Sequence, residues 1–340
     1  MKTIAIASKF GIDALVVNPC PEPTVGSGQI LVKVKAVALN YRDLLVVKGE
    51  YSRNLPLPLI PGSDGVGEVV AVGEGVSQAQ VGDRVAGTFM SQWVDGPLTK
   101  AATQSALGGG TNGMLAEYVV LPESGIVKVP AHLSDVEAAT LPCAAVTAWH
   151  SLMELGLGPG QTVLLLGTGG VSLFALQFAV LAGAQVIITS SNDDKLARTQ
   201  ALAASMGATI AGINYVKTPE WGKQVLALTE KNGVDYVVEV GGAGTLPQSL
   251  KAVAFGGTIS LIGVLTGNQG MVNPVPAVMK GVRLCGIYVG SRAMFERMNR
   301  AIALHQLHPV IDRVFGFDEV AQAFHYLEAG KHFGKICISL

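Results

Sequence analysis

From about residue 140 to 290 short apolar runs alternate with helix-like segments, and nothing else in the chain restricts its fold as much. The apolar runs are "TVLLLG", "QVIITS", "TIAGINY", "VDYVVEVG", "GTISLIGV" and "RLCGIYVG". Runs of this length with helical patterns between them read as buried parallel strands joined by crossover helices. "VSLFALQFAVLAG" fills the first gap, and "DDKLARTQALAASMG" starts at Asp193, read as its cap, and stops at Gly207. "TPEWGKQVLALTEKNG" and "LPQSLKAVAF" supply further helices. Six strands with intervening helices predict a doubly wound parallel sheet.

"VLLLGTGGVSLFALQ" leaves the first of these strands and opens a helix. Gly167 permits the tight turn, and Gly169 lets backbone approach a pyrophosphate. Gly170 and Val171 begin the helix whose N-terminus would carry the anion. Ser172 stands where the fingerprint has its third glycine, and it is small enough for close helix–sheet packing. The second strand ends "IITSSNDDK", with Ser190 and Ser191 where an acid would hold the ribose of NAD. Two hydroxyls would accept a 2′-phosphate, and Lys195 could add charge. NADPH is therefore expected, with NADH the alternative. Val240 and Gly241, Gly263 and Val264, and Val289 and Gly290 close the fourth, fifth and sixth strands, at the carboxyl ends where ligands bind.

Residues 1 to about 125 read differently. "QILVKVKAVAL", "GVGEVVAVG", "GDRVAG" and "LAEYVVLP" are short β-like runs separated by Gly and Pro, which predicts a mostly β unit. The last fifty residues carry two helices, "MFERMNRAIALHQ" and "FDEVAQAFHYLEAG", and a strand, "GKICISL". They do not repeat the α/β pattern and are expected to return to the first domain. Residues 1–125 and 291–340 thus form one discontinuous domain, and 126–290 the dinucleotide-binding one. A length of 340 residues suits two cores. With 24 basic against 25 acidic residues and no basic block, neither nucleic acid nor an anionic membrane is an expected partner. Cys20, Cys143, Cys285 and Cys337 lack metal or disulfide spacing. The N-terminus is too short in its apolar part for a signal peptide, so a cytoplasmic protein is expected.

"ALNYRDLLVVKGEYS", "PLIPGSDGVGEVVAVGEGV", "VGDRV", "LAEYVV", "LPCAAVTAWHSL" and "GTGGVS" occur in one order and spacing. In these motifs the chain resembles the medium-chain dehydrogenase/reductase superfamily, in particular its zinc-independent quinone oxidoreductase-like branch. The resemblance covers nearly the whole length. It implies a GroES-like catalytic domain split around a Rossmann domain. It also implies a homodimer or homotetramer joined through the edge strand "RLCGIYVG". Where zinc-dependent relatives hold the catalytic metal, this chain has Asn40, Ser63 and Cys143; Asp43 and Asp64 stand where they have acids beside the ligands. Their structural zinc lobe needs four cysteines, and the loop at 91 to 113 has none. One thiol, an amide and a hydroxyl do not make a zinc site, so no metal is expected. The resemblance further places Thr147 against the nicotinamide and Lys335 at the pyrophosphate.

Without zinc, alcohol oxidation becomes hard, whereas a hydride can still pass to a quinone or an α,β-unsaturated carbonyl that spreads the charge onto its oxygen. The expected catalytic set is Asn40 and Tyr51 as donors, with Arg42 a further candidate, and Asp43 as the partner that orients Asn40 or a basic group. The expected activity is NADPH-dependent reduction of a small conjugated substrate. An alcohol/ketone or enoyl reductase on the same scaffold is the alternative, and a dinucleotide-binding protein with little turnover is another.

Overall fold

A computed structural model describes every residue of the chain except Arg53 and Asn268. The chain divides into two compact units, Met1–Val146 with Val289–Leu340, and Thr147–Tyr288. The first boundary thus lies well beyond the expected 125/126. The reason is strand pairing: Ile126–Lys128 joins Arg84–Gly87 antiparallel, with Ile126 and Val127 buried. The helix Asp135–Ala138, opened by Ser134, then packs on the same sheet.

The second unit is the expected parallel sheet. Its strands are Thr162–Leu166, Gln185–Ser190, Ala211–Asn214, Val234–Glu239, Val253–Leu261 and Arg283–Gly286. Numbered along the chain they lie in the order third, second, first, fourth, fifth, sixth. Every pairing is parallel. The order reverses between the first and fourth strands, and such a switch point opens a crevice at the carboxyl ends. The helix Gly170–Leu181 buries Leu173, Phe174, Leu176 and Phe178, so it is apolar nearly all round. Asp193 does not cap the next helix. Asn192 does, in extended geometry with its side chain accepting the Lys195 amide at 3.0 Å. Asp193 opens the first turn and accepts from Asn214 Nδ2 at 2.7 Å. The sixth strand stops at Gly286, so Val289 and Gly290 lie beyond it rather than closing it.

In the first unit Gln29–Leu39 is the central strand, pairing antiparallel with Asp64–Val72, Tyr118–Pro122 and Lys335–Ser339. Its alternating sequence predicts one wet face, yet only Lys33 is exposed, because neighbouring elements cover both faces. The C-terminal segment returns as expected. Ile336 pairs with Leu39, and that register sets Lys335 beside Asn40. Two features were not legible: the hairpin of Lys2–Ile6 with Leu15–Pro19, and the strand Ile311–Gly316 parallel to the last one. Among the described residues no helix is long and apolar enough to cross a membrane.

Candidate active site

Asn40 ends the central strand and begins the helix Tyr41–Val47. Asp43, in the helix's first turn, accepts the Asn40 amide at 2.9 Å. Pro61-Gly62, a pair that favours a turn, bends the chain with Gly62 at φ 92 and delivers Ser63 and Asp64 to the same place. Asp43 then accepts from Ser63 N at 3.1 Å, Ser63 Oγ at 3.3 Å and Arg42 Nη1 at 3.2 Å. A fully buried carboxylate with this many donors is a brace. Asp43 thus holds Asn40 and Ser63 in place.

Lys335 departs from its expected role. Its side chain is 4% exposed, and its Nζ donates to Leu39 O at 2.8 Å and Asn40 Oδ1 at 2.5 Å. The same Nζ lies 3.9 Å from Asp64 Oδ2. Two of the ammonium's donor directions are thus hydrogen-bonded, and Asp64 is near enough for a direct electrostatic attraction. That placement corrects the expectation of a pyrophosphate contact. Asn40 Nδ2 donates to Ser63 Oγ at 3.1 Å, so the amide is fixed at both ends.

Cys143 sits on a π-helical turn, Leu141–Ala145, and its amide donates to Asp64 Oδ2 at 3.2 Å. Burial pushes the Asp64 carboxyl up to about 7, with the Lys335 charge and the Asn40 amide opposing the shift. Burial, helped by Asp64, also raises the Cys143 thiol above its ordinary range. The residues at the metal-ligand positions are thus a neutral thiol, a hydroxyl and an amide whose oxygen already holds an ammonium. They do not fit zinc, which needs deprotonated or imidazole ligands and would meet the Lys335 charge. Arg42 is no substrate donor at Nη1, which is committed to Asp43, Leu107 O at 2.8 Å and Gly108 O at 3.1 Å. Its guanidinium carbon lies 5.0 Å from the ring centres of both Tyr51 and Phe89. Tyr51 is 39% exposed and joins the cluster through that stacking.

The second unit builds the dinucleotide turn. Gly167 has φ 73, and a side chain at Gly167 or Gly169 would project into open space, as a cradle for a ligand requires. Ser172 Oγ donates to Leu166 O at 2.7 Å, tying the helix to the strand it follows. The first turn has no side-chain cap, and its amides at Gly170 and Val171 suit a pyrophosphate. These residues fit a nicotinamide dinucleotide. Ser191 is exposed at the strand's end, whereas Ser190 is 3% exposed and its Oγ accepts from Asn192 N. Of the two serines, Ser191 is the one open to a ribose. Lys195 lies half-buried in the helix's first turn, and Thr147 is buried. The loops after the fourth and fifth strands are zipped together: Thr266 N donates to Gly241 O at 2.8 Å, and a side chain at Gly263 would strike Val240 O. Val264 is 45% exposed on this pair of loops. The sequence reading missed Glu239, which anchors them; its only signal was an acid ending the apolar run "VDYVVE". Val289 takes φ 57, a strained conformation for a β-branched residue, and Gly290 follows it.

Residues 26–131 match the family described as the alcohol dehydrogenase GroES-like domain, and residues 170–304 match that described as zinc-binding dehydrogenase. A zinc-type alcohol dehydrogenase-like protein of Schizosaccharomyces pombe is 45% identical over 321 residues, covering 92% of this chain and 91% of that one. A 2-methylene-furan-3-one reductase of Solanum lycopersicum is 33% identical, covering 93% of this chain and 73% of that protein. The crystal structure assigned as an alcohol dehydrogenase of Sinorhizobium meliloti superposes with a TM-score of 0.90 at 41% identity, covering 100% of this chain and 99% of that one.

Proposed function

The chain belongs to the medium-chain dehydrogenase/reductase superfamily, and from that premise we propose a zinc-independent reductase that passes a hydride from NADPH to a conjugated carbonyl, an enone or a quinone. The observation that carries the reading is the Lys335 ammonium on Asn40 Oδ1, beside Asp64, where relatives of the zinc-dependent kind keep a metal. The dinucleotide, when bound, supplies the hydride. Gly167, Gly169 and the amides of Gly170 and Val171 hold its pyrophosphate, and Ser191 with Lys195 receives a 2′-phosphate. Thr147, Val240, Gly241, Gly263 and Val264, all of the second unit, are assigned to its nicotinamide half.

Asn40 carries the chemistry on the protein's side. Lys335 holds Oδ1 and prevents the amide from turning over, so Nδ2 faces Ser63 and Asp64, and in the proposed mechanism a substrate oxygen takes the place of Asp64 as acceptor of its second N–H. A fixed donor aimed at developing negative charge lowers the barrier without reorganising. Tyr51 stands as a second donor, stacked on Arg42. A simple alcohol would need its own proton removed, for which zinc is the usual aid and this donor set offers no substitute. The relative named as a 2-methylene-furan-3-one reductase supports a conjugated acceptor. The exposed Leu284 on the edge strand, with Val275, Val278 and Met279 before it, supports association of copies through that edge.

The test is steady-state oxidation of NADPH and NADH with 1,4-benzoquinone, a simple enone, acetaldehyde and, in reverse, ethanol. Turnover of the enone or the quinone, with NADPH preferred, is the expected result. Efficient ethanol oxidation without enone or quinone reduction would replace this reading with that of an alcohol dehydrogenase.

A further inference from the structure

Glu239 ends the fourth strand of the second unit one step past Val238, which pairs with Leu165 of the first strand. It therefore stands beside Leu166, directly before the Gly167 turn, and at the point where the strand order reverses. Its side chain is fully buried. Gly241 N donates to Oε1 at 2.8 Å, Gly242 N at 3.0 Å and Thr245 Oγ1 at 2.6 Å, while Ser249 Oγ donates to Oε2. All four partners are neutral donors, the pattern that a carboxylate accepts. Among the described residues no cationic side chain pairs with it. A buried carboxylate without a counter-charge is costly, and its ordinary complement is a lysine or arginine.

We propose that the Glu239 carboxylate is an electrostatic partner for the oxidised nicotinamide ring, which is a cation, and so favours bound NADP⁺ over bound NADPH. The proposal rests on the reading that this unit binds a nicotinamide dinucleotide. It uses two facts of position: Glu239 ends its strand at the carboxyl edge of the sheet, beside the switch point, and its hydrogen bonds shape the loop that carries Val240 and Gly241. The reduced ring is neutral and gains nothing from the charge. Favouring the oxidised form makes the bound reduced cofactor a better hydride donor.

The experiment is calorimetric titration of the full-length protein with NADP⁺ and, separately, with NADPH. In Glu239→Gln the shape and most hydrogen bonds remain while the charge goes. NADP⁺ should then bind roughly 5- to 50-fold more weakly, the range for one charge acting across several ångströms in a partly polar interior. NADPH affinity should change far less. Equal weakening of both forms would reduce Glu239 to a brace for the loop and overturn the proposal, as would no change in either. Ser249→Ala keeps the charge and removes one of the donors that offset it. The preference for NADP⁺ should hold or grow in that variant, and a fall overturns the proposal even if Glu239→Gln does not fold. A wild-type protein that binds neither NADP(H) nor NAD(H) would instead overturn the dinucleotide reading itself.

Discussion

Lys335 Nζ and Asn40 Oδ1 lie 2.5 Å apart, although 295 positions separate them in the chain. The antiparallel pairing of Lys335–Ser339 with Gln29–Leu39 brings them together. This contact decides which way the Asn40 amide faces, because an ammonium can only sit on the oxygen. It also places a fixed positive charge 3.9 Å from the buried Asp64 carboxyl.

Removing that charge should be expensive. In Lys335→Met, assayed at about pH 8 where the wild-type Asp64 is ionised, Asp64 keeps its burial and loses its cation, a change that costs about 3–5 kcal/mol for a buried pair. Urea denaturation should show a lower midpoint with the slope unchanged. Adding Asp64→Asn should recover part of the loss, since the uncompensated carboxylate is then gone. A wild-type midpoint in Lys335→Met would mean that the pair does not matter to the fold.

Asp64 makes stability depend on pH in an unusual direction. Burial lifts its folded value to about 7 from an ordinary 3.8. Between those values the unfolded chain has released the proton and the folded one still holds it. The folded state therefore binds more protons, and the Asp64 contribution to stability falls as pH rises through that window, then levels above about pH 7. Asp64→Asn should remove that part of the slope when urea midpoints are compared across the window. An unchanged pH profile in the variant would contradict the assignment.

Asn40→Ala tests the donor. Loss of one oriented donor at a developing oxyanion should lower kcat by about 10- to 1000-fold. NADPH affinity, read by fluorescence titration, should change far less, because the dinucleotide turn lies in the other unit. A variant with wild-type kcat on the best conjugated substrate would remove Asn40 from the mechanism.

Cofactor choice should turn on Ser191. It is exposed at the end of the second strand, whereas Ser190 is buried there. The wild type should bind NADPH more tightly than NADH, and Ser191→Asp should reverse the order by setting a carboxylate against the 2′-phosphate. Equal dissociation constants in the wild type would count against the assignment.

Metal content and the thiol give the last test. Purified protein should hold less than about one-tenth of a zinc per chain, since its donors cannot form a three-ligand site. Cys143→Ser should keep its activity. Near-stoichiometric zinc by elemental analysis, with activity lost to a chelator, would overturn the metal-free reading.

The sequence by itself determined the alternation that builds the parallel sheet, the glycine turn after "TVLLL", the β character of the first hundred residues and the return of the C-terminal strand. These are local properties: the period of apolar residues and the φ freedom of glycine are written within a few positions of one another. The order of the family's motifs was legible in the same way. Tertiary structure decided the rest. Lys335 moved from an expected phosphate contact to the buried cluster because its neighbours come from a strand register that spans the chain. Asp43 became a brace because its donors arrive from both Asn40 and the turn at Ser63. The first domain reached to Val146 because Ile126–Lys128 found a partner in Arg84–Gly87. Pairing and burial depend on which distant segments meet, and a lone lysine or glutamate in an apolar run does not say what it will face once the chain has closed around it.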